Sequence, residues 1–434
     1  MTPVIGIDFG TTNTVVTVLA ADGTPRTARF PSAPSQPDAG LLDMFRTVLC
    51  FWTDGHRAGA GLRHAAGPDA IEAYLDDPLD SRLIMSMKTY LAQRSFTETR
   101  IFGRPFTLER LVALFLGEVL HRAGVAPGQA RIVAGRPVRF AGEFADDALG
   151  ERRLRASFAA AGLPDIDVAL EPEAAGYRFA ARLNTGATVL VGDFGGGTSD
   201  FSLLRFEPGA GPGGARQVLP LGHAGIGIAG DTFDFRIIDR VISPRLGKGD
   251  SYRIMGKELP VPPEYFSSFA RWHRMSLMRN PRTLREIAEV ARASDHPERL
   301  GQLIALIEDE LGYRLYQTVS AAKAALSHAP STTLRFAHKS LDIAHDIARE
   351  DFESWIAEDI ARIAQTVDRA LAEAGVAPEA VDHVFLTGGT SFVPAVRRLF
   401  DVRFGPSCVT AGGEFVSVSE GLALIGRDRL ASRA

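Results

Sequence analysis

The sequence predicts an α/β protein built from two similar halves, and three observations carry that prediction. Residues 4–19 (VIGIDFGTTNTVVTVL) and 189–204 (VLVGDFGGGTSDFSLL) are copies of one strand–turn–strand device. Around both copies, short β-type runs alternate with helical segments of 3.6-residue periodicity, the pattern of a mixed α/β domain. With 434 residues, 45% of them apolar, the chain exceeds what one hydrophobic core organises, about 250–300 residues.

Each copy of the device runs from an apolar strand through Asp-Phe-Gly into a Gly/Thr turn, then into a second strand. A tight turn of Gly and Thr presents backbone N–H groups and hydroxyls in a concave nest suited to phosphate oxygens. An Asp at the end of each first strand, Asp8 and Asp193, suits a hydrated Mg²⁺ held against those phosphates. Two such devices predict two lobes gripping one nucleotide.

The remaining elements follow in chain order. Val4–Ile7 and Val15–Leu19 flank the first turn, residues 31–40 form a Pro-rich loop, and 47–53 read as a strand. A helix is expected over 68–92, and another over Thr107–Ala123, where the periodicity is strong and Gly124 stops it. A strand at Arg131–Gly135, a helix at Glu151–Ala161 and a strand at Val168–Leu170 come next. Pro172 then opens a helix over Glu173–Leu183. After the second device, Gly209–Gly214 is a hairpin loop and Ile226–Gly230 a turn opening a helix over Asp231–Val241. Residues 243–263 carry four prolines and read as irregular, and 264–329 as mostly helical, ending in Gly312–Ala329. A strand at Thr333–Phe336 starts a small sheet. Then come a helix over Arg349–Gly375, a strand at Val384–Leu386, the turn Thr387-Gly388-Gly389-Thr390, a helix at Pro394–Phe400 and a terminal helix over Val416–Gly426.

Composition narrows the classes. A net charge of −4, with acids and bases interspersed, provides no general basic field for nucleic acid or anionic membrane. The arginines of 265–285 (Arg271, Arg274, Arg279, Arg282, Arg285) alternate with aromatics and read as an amphipathic helix with snorkelling side chains. Cys50 and Cys408 lack metal spacing and make no disulfide framework, so a reducing cytoplasm is expected. No secretory leader and no membrane-spanning run is read.

The motifs GIDFGTTNT, GDFGGGTSD and FLTGGTSFVP resemble the three nucleotide-binding motifs of the actin, sugar-kinase and heat-shock ATPase superfamily. ALEPEAAGYRFA (169–180), GIAGDTFDFRIID (227–239) and IAREDFESWI (347–356) narrow the resemblance to DnaK-type seventy-kilodalton heat-shock chaperones. It covers 4–426 in order and matches only their nucleotide-binding domain. The interdomain linker and β-sandwich peptide-binding domain are expected to be missing, which is similar to the YegD-type chaperones of bacteria. The resemblance implies an actin-like ATPase fold of two lobes, each with a ribonuclease H-like domain and an inserted subdomain. Lobe I would take 1–183 and 416–434, with its insert at about 40–110. Lobe II would take 184–415, with its insert at about 231–332.

Gly10, Thr11, Thr12 and Asn13 in the first turn, and Gly195, Gly196, Gly197 and Thr198 in the second, are the expected phosphate contacts, the glycines admitting close backbone approach. Asp8, Asp193 and Asp200 would hold Mg²⁺, mostly through water. By the resemblance, Lys88 reaches the γ-phosphate and Glu171 lies near the metal and the attacking water; with Asp193 and Thr198 they make the catalytic set. Gly388, Gly389 and Thr390 sit between strand and helix, a geometry for phosphate and adenosine. Gly230 and Asp231 would lie by the ribose, and Lys323 and Ser327 by ribose and adenine. The family's adenine-clamping arginines match Ala324 and Phe392 here, and its acidic ribose ligand matches Ser320. Weaker ATP binding is therefore expected, with the Phe392 ring offering partial compensation by stacking on the base.

The resulting expectation is an ATP- and ADP-binding, Mg²⁺-dependent, slow ATPase of the cytoplasm that acts as a nucleotide switch toward a polypeptide client or co-chaperone. No nucleic-acid or membrane partner is expected. The alternatives are a small-molecule kinase of the same superfamily, disfavoured because no sugar-kinase motif is seen, and an actin-like filament or scaffold protein.

Overall fold

A computed structural model describes residues 3–20, 22–32, 40–54, 61–125, 130–142, 144–180, 183–207, 217–271, 275, 278–411 and 416–431. It resolves into two compact units. One comprises Met1–Ala229, Ala361–Phe392 and Val396–Ala434; the other comprises Gly230–Ile360 with Val393–Ala395.

The first unit contains two sheets of one design. In the first sheet, β1 (Val4–Phe9), β2 (Asn13–Leu19) and β3 (Pro25–Thr27) form an antiparallel meander. On its other side β1 pairs in parallel with β4 (Arg131–Arg136), which pairs in parallel with β5 (Ile166–Leu170). The second sheet repeats this. β6 (Ala187–Phe194), β7 (Ser199–Glu207) and β8 (Gln217–Ile226) form the meander; β9 (His383–Thr387) and β10 (Val409–Ala411) complete the parallel side. The spatial orders β3-β2-β1-β4-β5 and β8-β7-β6-β9-β10 are therefore equivalent. The central strands β1, β4 and β6 are almost continuously buried, as strands covered on both faces require.

The Glu171–Ala180 helix and the terminal Ser417–Ala431 helix join the two sheets. Their apolar side chains form one cluster with Val133 of the first sheet and Val189, Val191, Leu204 and Phe385 of the second. The helices cross in backbone contact: a Cβ on Gly421 would lie 1.7 Å from the Ala174 carbonyl oxygen, and one on Gly6 would lie 2.1 Å from that of Ser419. Outside this layer the first sheet packs on the Leu108–Arg122 helix through Phe9, Phe45 and Phe115. The Thr107 hydroxyl caps that helix by accepting from the Arg110 N–H.

The second unit is mainly helical. The Gly230–Ile237 helix passes into a π-turn at Ile238–Ile242, and three longer helices follow at Pro281–Ala293, Pro297–Glu308 and Gly312–His328. Two hairpins complete it, Ser251–Ile254 with Lys257–Pro260 and Ser331–His338 with Leu341–Ala348.

Several expectations are corrected. The helix expected over 68–92 is a helix at Pro68–Asp76, a strand at Ser81–Met85 and one turn at Met87–Tyr90. Pro78 interrupts the helical run, and pairing of 81–85 with the Val48–Thr53 strand outweighs the apparent periodicity. The irregular 243–263 segment contains a 3₁₀ turn and the 251–260 hairpin. The 349–375 helix breaks at Ile356 into Arg349–Trp355 and Ala357–Ala374. The helix expected at Glu151 starts at Asp147, because Asp146 accepts from the Leu149 N–H as its cap. The Gly209–Gly214 loop, most of the 31–40 loop and Arg274 lie outside the described residues. Among the arginines of 265–285, Arg279 pairs with Glu310 and Arg282 with Glu286, while Arg271 lies over the Phe235 ring. Among the described residues no helix is long and apolar enough to cross a membrane.

Candidate functional site

The two strand–turn–strand devices bring their acids together. Asp8 lies in β1 one residue before the strand end, and Asp193 holds the same place in β6. Asp200 is directly opposite Asp193 across the β6–β7 pair. The tips face each other: a Cβ placed on Gly197 would lie 3.6 Å from the Thr11 hydroxyl oxygen. Gly10 admits no side chain, since a Cβ there would sit 2.1 Å from the Asn13 carbonyl oxygen. The third turn docks on the second. Gly388 has φ 85°, and a Cβ on it would lie 2.1 Å from the Phe194 carbonyl oxygen, so only glycine fits there. The Thr390 hydroxyl lies 3.5 Å from the Gly195 carbonyl oxygen.

Lys88 and Glu171 complete the cluster. Lys88 Nζ donates to Glu171 Oε1 at 2.6 Å, and both side chains are buried, with 9% and 6% exposure. Burial alone would lower the Lys88 pKa, but Glu171, Asp8 and Asp193 outweigh it and hold the ammonium above its ordinary value. Burial, helped by the charge of Glu171, pushes the Asp8 carboxyl well up from the usual carboxylate range. The same causes raise Asp193 strongly and put Asp200 at about 7. Four carboxylates, of which Glu171 and Asp200 are buried, therefore face one ammonium. That excess of desolvated negative charge fits a divalent cation, which Asp8, Asp193 and Asp200 could hold through water. Among the described residues, no three His, Cys, Asp or Glu side chains are grouped to ligate an ion directly.

Neighbours fix these groups. Asp200 Oδ1 accepts the Arg139 N–H at 3.1 Å, and a Cβ on Gly225 would collide with that oxygen. The Asn13 side-chain carbonyl accepts from Arg46 at 3.0 Å, beside the turn it follows. Thr12 is held through its carbonyl, which accepts the Thr47 N–H. Phe392 ends the 3₁₀ turn of Gly389–Phe392 with 39% exposure.

In the second unit, Gly230 and Asp231 begin their helix as expected. Lys323 Nζ donates to the Gly230 carbonyl at 3.0 Å and to Asp234 Oδ2 at 2.8 Å. Asp234, which the sequence reading passed over, is nearly inaccessible, and its Oδ1 lacks a hydrogen-bond partner among the described residues. The Ser327 hydroxyl makes only a long contact, 3.4 Å, to the Lys323 carbonyl. Arg139 and Asp234 were missed because one acts through its backbone N–H. The other had a legible signal: GDTFD places Asp231 and Asp234 on one helical turn.

Comparison with known proteins points the same way. The family model described as Hsp70 protein matches residues 304–426. The chaperone protein HscA of Serratia proteamaculans is 26% identical over 94% of this chain and 55% of its own length. The chaperone protein DnaK of Deinococcus deserti is 23% identical over 98% and 58%, and that of Thermotoga maritima 25% over 93% and 55%. The chain resembles the nucleotide-binding domain of DnaK-type Hsp70 proteins, and its mixed α/β architecture accords with the actin-like ATPase fold that resemblance implies. The chain spans about half the length of the curated relatives it matches.

Proposed function

We propose that this chain binds ATP with Mg²⁺ and hydrolyses it slowly, as a nucleotide-controlled switch of the Hsp70 type. The observation that carries this reading is the buried Lys88–Glu171 pair set among Asp8, Asp193 and Asp200 at the ends of the twin devices. Backbone N–H groups and hydroxyls of Gly10, Thr11, Thr12 and Gly195–Thr198, with Asn13 beside them, take the phosphate oxygens. Gly388, Gly389 and Thr390 buttress the second turn and reach toward adenosine. Mg²⁺, when bound, neutralises phosphate charge; Asp8, Asp193 and Asp200 hold its water shell. Lys88 stabilises charge developing on the transferred phosphoryl group, while Glu171 and Thr198 orient the attacking water. For the nucleoside end we propose Gly230, Asp231 and Ser327, with Lys323 acting through its hold on Gly230. Positions 1–183 with 416–434 and 184–415 would serve as the two functional lobes.

A chaperone-like or regulatory role toward a polypeptide client or co-chaperone follows as part of the proposal. The test is phosphate release from ATP, with Mg²⁺ or with chelator, with and without an unfolded polypeptide. Mg²⁺-dependent release that Lys88→Ala abolishes is expected, with stimulation by polypeptide. Transfer of labelled phosphate to a small acceptor, or release indifferent to both Mg²⁺ and Lys88, overturns the reading.

A further inference from the structure

Two helices of the second unit pack together, Gly230–Ile237 and Gly312–His328, and one ion pair joins them. Gly230 and Asp234 are four residues apart on the shorter helix, so they share a face and one ammonium can bridge them. Lys323 Nζ does so, donating to the Gly230 carbonyl at 3.0 Å and to Asp234 Oδ2 at 2.8 Å. An ammonium carries three hydrogens, and these bonds use two. Access to the pair is unequal. The Asp234 side chain is 2% exposed and that of Lys323 16%. The carboxylate is closed off from any ligand, whereas the ammonium can offer its third hydrogen to one.

Helix packing alone does not ask for this pair. The two helices already bury Phe233 and Ile237 on one side and Val319, Ala322 and Leu326 on the other. A buried ion pair seldom outdoes apolar residues of similar volume. The cation also lies at the first turn of the shorter helix, where the helix dipole favours an anion. Asp234 Oδ1 has no hydrogen-bond partner among the described residues, a penalty that native structures seldom carry without a purpose. Burial pushes the Asp234 carboxyl above the usual carboxylate range, and the Lys323 charge opposes that rise. In return the end of a long, flexible side chain is fixed before any ligand arrives, so its rotamer freedom is not lost on binding. Ser320, Lys323 and Ser327 follow one another at helical spacing, and Lys323 is the charged member of that row.

We propose that Asp234 is a positioning residue for the nucleoside: it fixes Lys323 so that the ammonium clamps the Gly230 carbonyl and presents its third hydrogen to a ribose hydroxyl. This role, which rests on the ATP-binding reading above, makes the site prefer nucleotides that carry ribose hydroxyls. Asp234 acts through Lys323 and touches no ligand itself.

Calorimetry of the full chain with Mg²⁺ and ATP, the 2′,3′-dideoxy analogue of ATP, or inorganic triphosphate tests this. Wild type should bind ATP about tenfold tighter than the dideoxy analogue, the effect of one charge-assisted hydrogen bond. Asp234→Asn keeps the shape of the side chain and removes its charge. It should lose about that tenfold for ATP and leave the dideoxy analogue and triphosphate within about twofold of wild type. Lys323→Met should give the same pattern, and Asp234→Asn combined with Lys323→Met should bind no worse than Lys323→Met alone. The double variant lacks both charges, so it keeps the comparison with wild type open if one unpaired charge unfolds a single variant. Equal losses for ATP and the dideoxy analogue, additive effects of the two substitutions, a wild type indifferent to the ribose hydroxyls, or an Asp234→Asn variant that binds ATP like wild type would each overturn the proposal while ATP binding stands. A wild-type chain that binds neither nucleotide nor triphosphate overturns the ATP-binding reading together with it.

Discussion

Replacing Asp200 by Asn tests the electrostatics of the cluster without changing its shape. Asp200 is 1% exposed, and burial with the nearby Glu171 charge moves its pKa from an ordinary 3.8 to about 7. The group is raised in the folded state, so between these values the folded protein holds a proton that the unfolded chain has released. Its contribution to stability is complete below the unfolded value and is lost as pH rises through the folded one. A rise of this size corresponds to roughly 4 kcal/mol, and turn relaxation makes that a ceiling. Asn keeps an oxygen for the Arg139 N–H and carries no charge at any pH. Urea unfolding of nucleotide- and metal-free protein is the assay. The variant should match wild type near pH 4 and exceed it by about 2 kcal/mol or more near pH 8. An advantage independent of pH, or a variant weaker than wild type at the alkaline end, refutes the argument.

Three further outcomes are expected. Lys88→Ala leaves Glu171 facing Asp8 and Asp193 without their cation, and breaking a buried pair this way should cost about 3–5 kcal/mol, read by denaturant midpoint at neutral pH. Gly421→Ala drives a Cβ to 1.7 Å from the Ala174 carbonyl oxygen; the helices must separate, and thermal unfolding should shift by the equivalent of about 1–3 kcal/mol or more. Phe392→Ala should weaken ATP binding about tenfold if its ring stacks on the base, a loss of roughly 1–3 kcal/mol. Calorimetry with ATP and with inorganic triphosphate checks this, because only ATP should respond.

The duplicated device was legible because chemistry forced a local spelling. Asp at a strand end, then a Gly/Thr turn that must approach backbone closely, leaves a short unambiguous string at both 8–12 and 193–198. The equivalence of the two sheets could be suspected from those strings, but the parallel additions β4–β5 and β9–β10 depend on partners distant in sequence. Ser81–Met85 was misread as helix because SRLIM is equally apolar in either period, and only its pairing with Val48–Thr53 decides. The hold of Arg139 on Asp200 left no trace in residue type, since a backbone N–H makes it. The engagement of Lys323 by Asp234 required knowing that two helices of the second unit pack together.

The crossing of the Glu171 helix and the terminal helix at Gly421 has a mechanical consequence. Helices that meet through side chains interlock, ridge in groove, and move by jumps of one ridge. At Gly421 backbone lies on backbone, and on the strand side of the terminal helix Gly6 repeats the arrangement. Here the two helices touch with no side chain between them, and Arg178 to Glu420 and Tyr177 to Asp428 tie them on either side, so they are coupled as one stiff piece. The neighbouring helix begins at Glu171, so any displacement of the terminal helix is carried directly to the carboxylate that grips Lys88.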